Sequence, residues 1–188
     1  YKRKGAAGWA ATYMTALRAA FPDLPIGLCS YRYPSLHPEL PWREFTRYSD
    51  FHAPQVYWLG ARNPGEQLRR SARELTAIRT LPVVPVGAAF AEHGWQPAVS
   101  ELDEFDRTAR ELSLPGVGWW CWDDHGLEEH PEYMAAIARH EWAPPRLPRG
   151  VPLAEWARQV DAFLREKQGY TGDWPERAEW YPWSPWMM

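Results

Sequence analysis

Short apolar runs alternate along the first 142 residues with longer segments in which apolar side chains recur every three or four positions. The short runs are typical of buried parallel strands, and the longer segments predict amphipathic helices. Four strands are predicted, at 25–31, 53–58, 81–87 and 116–122. The predicted helices cover 5–20, a segment opening at Asn63, a segment beginning near Ser100, and 131–142.

The spacing of apolar residues also predicts which face of each helix is buried. Asn63 is expected to cap the second of these helices, with Glu66 at its third position. The first helix is expected to turn Trp9, Tyr13, Leu17 and Ala20 inward. The later helices are expected to bury Leu68, Ala72 and Leu75, then Leu102, Phe105, Ala109 and Leu112, and finally Tyr133, Met134, Ile137 and Ala138.

Strands separated by helical crossovers should pair in parallel, which predicts an α/β fold. Right-handed crossovers would wind them into a barrel or a doubly wound sheet. No glycine-rich phosphate loop follows any strand, which counts against a nucleotide-binding enzyme. A complete (β/α)₈ barrel needs about 250 residues. The prediction is therefore a run of β/α units forming the C-terminal half of a TIM-type barrel. An open sheet covered by a partner or a second copy is the alternative.

The organisation changes after residue 142. Residues 143–151 form a Pro-rich stretch that predicts a stiff linker. Residues 152–188 contain one amphipathic helix followed by a Trp-rich tail. This segment is too small to fold alone, so we expect it to pack on the barrel or to join a larger assembly.

Composition narrows the classes of partner. The formal net charge is −3 and there is no basic block, so nucleic acid is not an expected partner. No apolar run is long enough to predict a membrane span. Two cysteines provide no disulfide framework, and no cofactor or metal is predicted. The 13 tryptophans exceed what a core of this size needs, which indicates a recognition surface.

Parallel β/α folds bind ligands at the carboxyl ends of their strands. In this sequence those positions hold aromatic, amide, guanidinium and carboxylate groups. Pyranose rings have apolar faces that stack on aromatic rings and hydroxyls that need donors and acceptors, so this rim predicts a carbohydrate ligand. The predicted substrate-binding residues are Tyr31, Arg32, Gln55, Tyr57, Trp58, Trp120 and Trp122.

Glycoside hydrolysis usually needs two carboxylates facing the scissile bond. Asp123 directly follows the last strand and is the best candidate for a catalytic carboxylate. Glu92 is a weaker second, since a loop glutamate is usually solvated. Asp50 precedes a strand, which places it at the end of the fold that serves stability.

Three segments carry a resemblance to a known group: Cys29–Pro41, Ala53–Trp58 and Trp120–Asp123. They resemble the C-terminal half of bacterial and phage-associated TIM-barrel proteins similar to glycoside hydrolases, distantly the family 25 lysozymes. The resemblance implies a catalytic Asp-x-Glu pair on a strand upstream of Tyr1. It also implies an extracellular, cell-surface or phage-associated location.

Two functional hypotheses follow. The first is a lysozyme-like glycoside hydrolase domain, or its C-terminal half, acting on a cell-wall glycan such as peptidoglycan. The second is a non-catalytic glycan-binding or structural module of a surface or phage-tail-like assembly. Under either hypothesis the partners would be a glycan and a missing N-terminal half-barrel, a second copy of the chain or a larger assembly.

Overall fold

The computed structural model describes residues 5–121, 126–127, 129–140 and 142. Helices and strands alternate along this part of the chain, as predicted. The helices are α1 (Ala6–Ala20), α2 (Trp42–Arg47), α3 (Pro64–Ile78), α4 (Val99–Glu111) and α5 (Pro131–Ala138). The strands are β1 (Gly27–Tyr31), β2 (Phe51–Val56), β3 (Val86–Ala88) and β4 (Gly118–Trp120).

The strands form one sheet in the order β1-β2-β3-β4, and every neighbouring pair is parallel. Tyr31 lies in register with Gln55, and Gln55 with Val86. Strand order that follows chain order without reversal is the order of a barrel sector, whereas a doubly wound sheet reverses at its switch point. The predicted fold class, parallel β/α units of a TIM-type barrel, is therefore confirmed.

The two prolines of the third predicted strand lie at its start. His52 and Val83 form an isolated parallel bridge, and regular pairing resumes at Val86 in the same register. The carbonyl of Pro85 still accepts a bond from the Gly118 N–H at 2.8 Å. A proline removes only its own donor, so the strand tolerates both residues at a small cost in ladder bonds.

The core lies between one face of the sheet and helices α3, α4 and α5. Alternate residues of β2 point toward these helices, because side chains along a strand alternate between faces. Trp58, just beyond β2, continues this alternation and stacks on Phe105 of α4 at 5.3 Å between ring centroids. The buried stripes predicted for α3 and α4 are present, with Leu68, Leu75, Leu102, Phe105 and Ala109 at 0–1% exposure.

The opposite face of the sheet carries exposed side chains in the described part of the chain. Gln55 is exposed there, and Trp120 is 55% exposed. In a closed barrel this face would line the interior and be filled by side chains from the remaining strands.

Two local predictions are wrong. The face of α1 that is buried holds Ala10 and Met14, whereas Trp9 and Tyr13 are 61% and 60% exposed. Alanines surround this helix on every side, so its hydrophobic period does not select one face. In α5, Ala138 is exposed, and Ala136 is buried instead.

The prediction for the start of α3 holds in part. Asn63 is the N-cap residue of α3, as predicted, but its side chain makes no capping bond; its amide instead donates to Glu66 at 2.7 Å.

The start of α4 is fixed by a residue that the sequence did not single out. The helix begins at Val99, and the Glu101 carboxylate accepts the N–H of Ala98 at 2.8 Å. This is the acidic half of a capping box, in which a glutamate at the third helical position binds back to the cap. Among the described residues, no helix is long and apolar enough to cross a bilayer.

Candidate functional site

A cavity of about 280 Å³ lies at the carboxyl ends of β1 and β2. The end of β1 and the loop after it form one wall, and β2 with the residues after it forms the other. Its size is at the small end of the range for ligand sites, and a single sugar ring is the scale of ligand that it suits. The lining residues are Tyr31, Arg32, Tyr33, Leu36, His37, Gln55, Tyr57 and Leu59.

The loop after β1 is anchored on α3. The N–H of Ser35 donates to the Glu74 carboxylate at 2.9 Å, and Arg70 binds both Glu74 and the Ser35 hydroxyl. The Arg70 guanidinium also lies 3.9 Å from the centre of the Tyr33 ring, a close cation–π contact. These bonds fix the backbone that carries the cavity wall.

The charge on Glu74 is part of this anchor. Burial raises the pKa of the Glu74 carboxyl, but the Ser35 N–H and the Arg70 guanidinium outweigh burial and lower it overall. Glu74 is therefore ionised near neutral pH and neutralises Arg70 at the base of the loop.

A stacked pair forms one side of the cavity. The rings of Tyr31 and His37 lie 3.7 Å apart at an interplanar angle of 16°. The carbonyl of His37 accepts bonds from the Trp42 indole N–H at 2.8 Å and from the Leu40 N–H at 3.1 Å. Trp42 is buried, so the backbone under the His37 ring is held by the fold rather than by solvent.

The polar groups of this cavity have no hydrogen-bond partners in the described part of the chain. Within the described residues no hydrogen bond or salt bridge is made by five of the lining side chains. Polar groups that converge on a cavity and are not used by the fold are available to a ligand. The five are Tyr31, Arg32, His37, Gln55 and Tyr57.

Tyr57 is supported from behind by other aromatic rings. Phe90 meets it edge-on at 5.4 Å, and Trp95 meets Phe90 at 6.3 Å. Burial raises the pKa of the Tyr57 hydroxyl, and negative charge on the nearby Cys29 and Cys121 thiols would raise it further. The hydroxyl therefore stays protonated over the whole physiological range and is able to donate a hydrogen bond.

No carboxylate lines this cavity within the described residues. Glu101, a buried glutamate in the first turn of α4, accepts bonds from Trp58, Arg62 and the Ala98 N–H through one oxygen. Those three donors give it a structural role at the start of α4. The chemistry that the cavity itself offers is stacking, hydrogen bonding and one fixed positive charge.

The structure divides the predicted substrate-binding residues. It brings Tyr31, Arg32, Gln55 and Tyr57 together in the cavity. It places Trp58 in the core with 0% exposure, where its indole N–H faces Glu101, so the prediction that Trp58 contacts sugar is corrected. The reason is strand alternation, which turns Trp58 toward the helices when Tyr57 faces the cavity.

The other predicted positions lie elsewhere. Trp120 is 55% exposed at the end of β4 and is not part of the cavity lining. Trp122 and Asp123 lie outside the described residues. The linker 143–151 and the segment 152–188 also lie outside them.

The two weaker carboxylate candidates have ordinary surroundings. Glu92 lies in a tight turn paired with Trp95, and its side chain is 47% exposed beside His93. Asp50 lies at the amino end of β2, where it binds Arg18 at 2.5 Å and the N–H of Ile26 at 2.8 Å. Asp50 therefore links α1 to the sheet.

The sequence did not identify four of the lining residues as ligand-binding: Tyr33, Leu36, His37 and Leu59. Three of them lie in the Pro-rich loop after β1, which has no periodic pattern. The available signal was the cluster of tyrosine and histidine in 31–37, directly after a strand, where ligand-binding loops concentrate.

A larger depression of about 590 Å³ lies at the opposite end of the sheet. It is lined by the residues before β3, such as Pro82 and Val83, and by those after α4, such as Leu112 and Leu114. The amino ends of strands usually serve stability in this class of fold. Size alone therefore does not make this depression the functional site. The smaller cavity is the better candidate, because polar and aromatic side chains line it.

Within the described ranges, no three histidine, cysteine, aspartate or glutamate side chains come together to hold a metal ion.

Comparison with known proteins adds little to this description of the site. No protein-family model matches the sequence, and no curated protein matches it. Among solved structures, bee venom hyaluronidase superposes with a TM-score of 0.45 and 14% identity. The match covers 87% of this chain and 52% of the hyaluronidase chain, so this chain spans about half the length of that protein. A likeness at this level carries no functional argument.

Proposed function

We propose that this chain is the glycan-binding sector of a glycoside hydrolase-like TIM barrel, and that its cavity at the carboxyl ends of β1 and β2 holds a sugar ring of a cell-wall-type glycan such as peptidoglycan. The observation that carries the proposal is the group of polar side chains beside the Tyr31–His37 stack that make no hydrogen bond to any described residue.

The chemistry of a sugar matches this arrangement. An aromatic face covers the apolar C–H side of a pyranose ring, and fixed donors and acceptors satisfy its hydroxyls. Gln55 offers both an amide donor and an acceptor, and Tyr57 offers a hydroxyl that stays protonated. The loop that carries His37 is fixed by α3 and Trp42, which lowers the entropic cost of ordering the site on binding.

Catalysis is the second part of the proposal. In a lysozyme-like hydrolase Asp123 would act as a carboxylate at the end of the fourth strand, together with a carboxylate from upstream strands. The absence of a carboxylate among the described lining residues favours binding over hydrolysis for the cavity itself. A non-catalytic glycan-binding module of a surface or phage-tail-like assembly is therefore the alternative that this observation supports.

Retention on insoluble peptidoglycan tests binding directly. The full chain should co-sediment with purified peptidoglycan, and Gln55→Ala and Tyr31→Ala should each weaken retention by about tenfold, equivalent to about 1.4 kcal/mol. Gln55 is exposed, so its replacement leaves the fold intact. Trp9→Ala is the control, because Trp9 is an exposed aromatic residue on α1 that does not line the cavity.

Release of reducing sugar in the same samples tests catalysis. Release by the wild-type chain that Asp123→Asn abolishes would support the hydrolase. Retention without release would support the binding module. Loss of retention in Trp9→Ala together with unchanged retention in Gln55→Ala and Tyr31→Ala would overturn the assignment of the site.

A further inference from the structure

We infer that the cavity selects a sugar that carries a carboxylate, and that Arg32 is the residue that recognises this group. The inference rests on the proposed function, because it names the class of sugar that the same cavity takes. It concerns a feature that a neutral sugar does not use, namely a positive charge in the cavity wall that no described carboxylate neutralises.

Two guanidinium groups flank the ring of Tyr33, and they differ in one respect. Arg70 lies 3.9 Å from the ring centre and is paired with Glu74 at 2.8 Å. Arg32 lies 5.2 Å from the ring centre, and within the described part of the chain no carboxylate pairs with it. Among the described residues, a carboxylate therefore neutralises the arginine that anchors the loop but not the arginine that lines the cavity.

The charge on Arg32 is local, since the chain as a whole has a net charge of −3. Arg32 is partly buried, and none of the described lining residues is acidic. Partly burying an unpaired guanidinium costs solvation free energy, and an anionic ligand would offset that cost. The ring nitrogens of His37 are also without partners among the described residues and add a second donor facing the same space.

A carboxylated sugar fits these positions together. A guanidinium binds a carboxylate through two parallel N–H bonds, which fixes the orientation of the ligand as well as its charge. Tyr31 and Arg32 are consecutive residues that both line the cavity. A pyranose ring against the Tyr31–His37 stack would therefore place a ring substituent near Arg32.

Matched glycans test the inference by calorimetric titration of the full chain. The first pair is a peptide-free glycan strand of alternating N-acetylglucosamine and N-acetylmuramic acid, whose lactyl carboxylate is free, and a chitin oligosaccharide of equal length. The same strand with its carboxylates amidated isolates the charge. A hexuronate oligosaccharide distinguishes a ring carboxylate from a lactyl one. We expect a carboxylated glycan to bind about tenfold more tightly than its neutral counterpart.

Variants assign the preference to one residue. Arg32→Gln should reduce the preference for the carboxylated strand over chitin oligosaccharide, measured as a ratio of affinities, to near unity. Arg32→Lys should retain part of the preference, because it keeps the charge but not the bidentate geometry. Arg73→Gln is the control, since Arg73 is an exposed arginine at the depression on the opposite end of the sheet.

The outcomes separate this inference from the proposed function. Equal binding of carboxylated, amidated and chitin glycans would overturn the inference and leave glycan binding intact. A preference that persists unchanged in Arg32→Gln would overturn the role of Arg32. Failure of every glycan to bind would overturn the inference and the proposed function together.

Discussion

Polar side chains at the two ends of β2 differ in their hydrogen bonding. At the amino end of β2, Asp50 binds Arg18 and the Ile26 N–H, and the buried His52 donates through Nε2 to the Arg79 carbonyl at 3.0 Å. At the carboxyl ends of the same strands, polar groups such as Gln55 make no hydrogen bond within the described residues.

This difference separates groups that hold the fold from groups that are available to a ligand. Pairing at the amino end satisfies the Asp50 carboxylate and the Nε2 of His52, although His52 Nδ1 is buried without a partner among the described residues. Removing one of these partners should therefore cost stability. The polar side chains of the cavity, such as Gln55, have no hydrogen-bond partner to lose among the described residues. Substitutions there should change binding and leave stability nearly unchanged. The predictions below test this contrast.

The largest expected effect compares two tryptophans that the sequence assigned to the same rim. Trp58→Ala removes a fully buried ring stacked on Phe105 and should lower the free energy of unfolding by about 3–5 kcal/mol. Trp120→Ala removes a ring that is 55% exposed and should change it by less than about 0.5 kcal/mol. Urea denaturation of the full chain, followed by circular dichroism, measures both.

Equal losses of stability in the two tryptophan variants would contradict the distinction between core and rim. A large loss in Trp120→Ala would show that this ring is covered in the complete protein, by residues outside the described ranges or by a second copy. Sedimentation at two protein concentrations distinguishes these two coverings.

The next effect contrasts the two ends of β2 directly. Asp50→Asn weakens a bond to Arg18 between side chains that are about 15% exposed, and should lower the free energy of unfolding by about 1–3 kcal/mol. Gln55→Ala, five residues along the same strand, should lower it by less than about 0.5 kcal/mol. The same denaturation assay measures both variants, and a larger loss in Gln55→Ala would contradict the contrast.

A smaller effect depends on pH. Burial lowers the pKa of His52 below its usual value of about 6.5, and the nearby Arg79 charge lowers it too, although the bond to the Arg79 carbonyl opposes this shift. The unfolded chain therefore binds this proton at a higher pH than the folded chain. The contribution of His52 to the free energy of unfolding should be constant above about pH 6.5. It should fall as the pH decreases below that value, until the pH reaches the pKa of His52 in the folded chain.

His52→Gln isolates this contribution, because its amide can still donate to the Arg79 carbonyl and does not titrate. Melting temperatures of wild type and variant, measured from pH 7.5 to pH 5, should converge as the pH falls. Parallel curves over that range would show that protonation of His52 does not destabilise the folded chain.

Much of the fold could be predicted from sequence, because burial against helices leaves a pattern in the chain. Apolar runs identified all four strands of the described part, and the stripes of α3 and α4 identified residues such as Leu68 and Phe105. The pattern failed for α1, where alanines surround the helix and the large aromatic residues Trp9 and Tyr13 are exposed.

The site could be predicted only in part. Its strand-end members followed from the rule that ligands bind at the carboxyl ends of parallel strands. That rule specifies an end of the sheet but not one of its faces. It therefore includes Trp58, although the alternation of side chains along the strand turns Trp58 into the core. His37 lies six residues beyond β1, and it reaches the cavity because α3 and Trp42 fold its loop back. A long-range anchor of this kind has no signature in the local sequence.

The most direct test of the central claim is a nuclear magnetic resonance titration of the isotope-labelled full chain with a peptide-free glycan strand. The account predicts saturable shift changes at the carboxyl-end cavity, including the side-chain amide of Gln55 and the backbone of Arg32 and His37, with Val83 and Leu114 at the opposite end unaffected. Changes confined to the opposite end, or no saturable change anywhere, would contradict it.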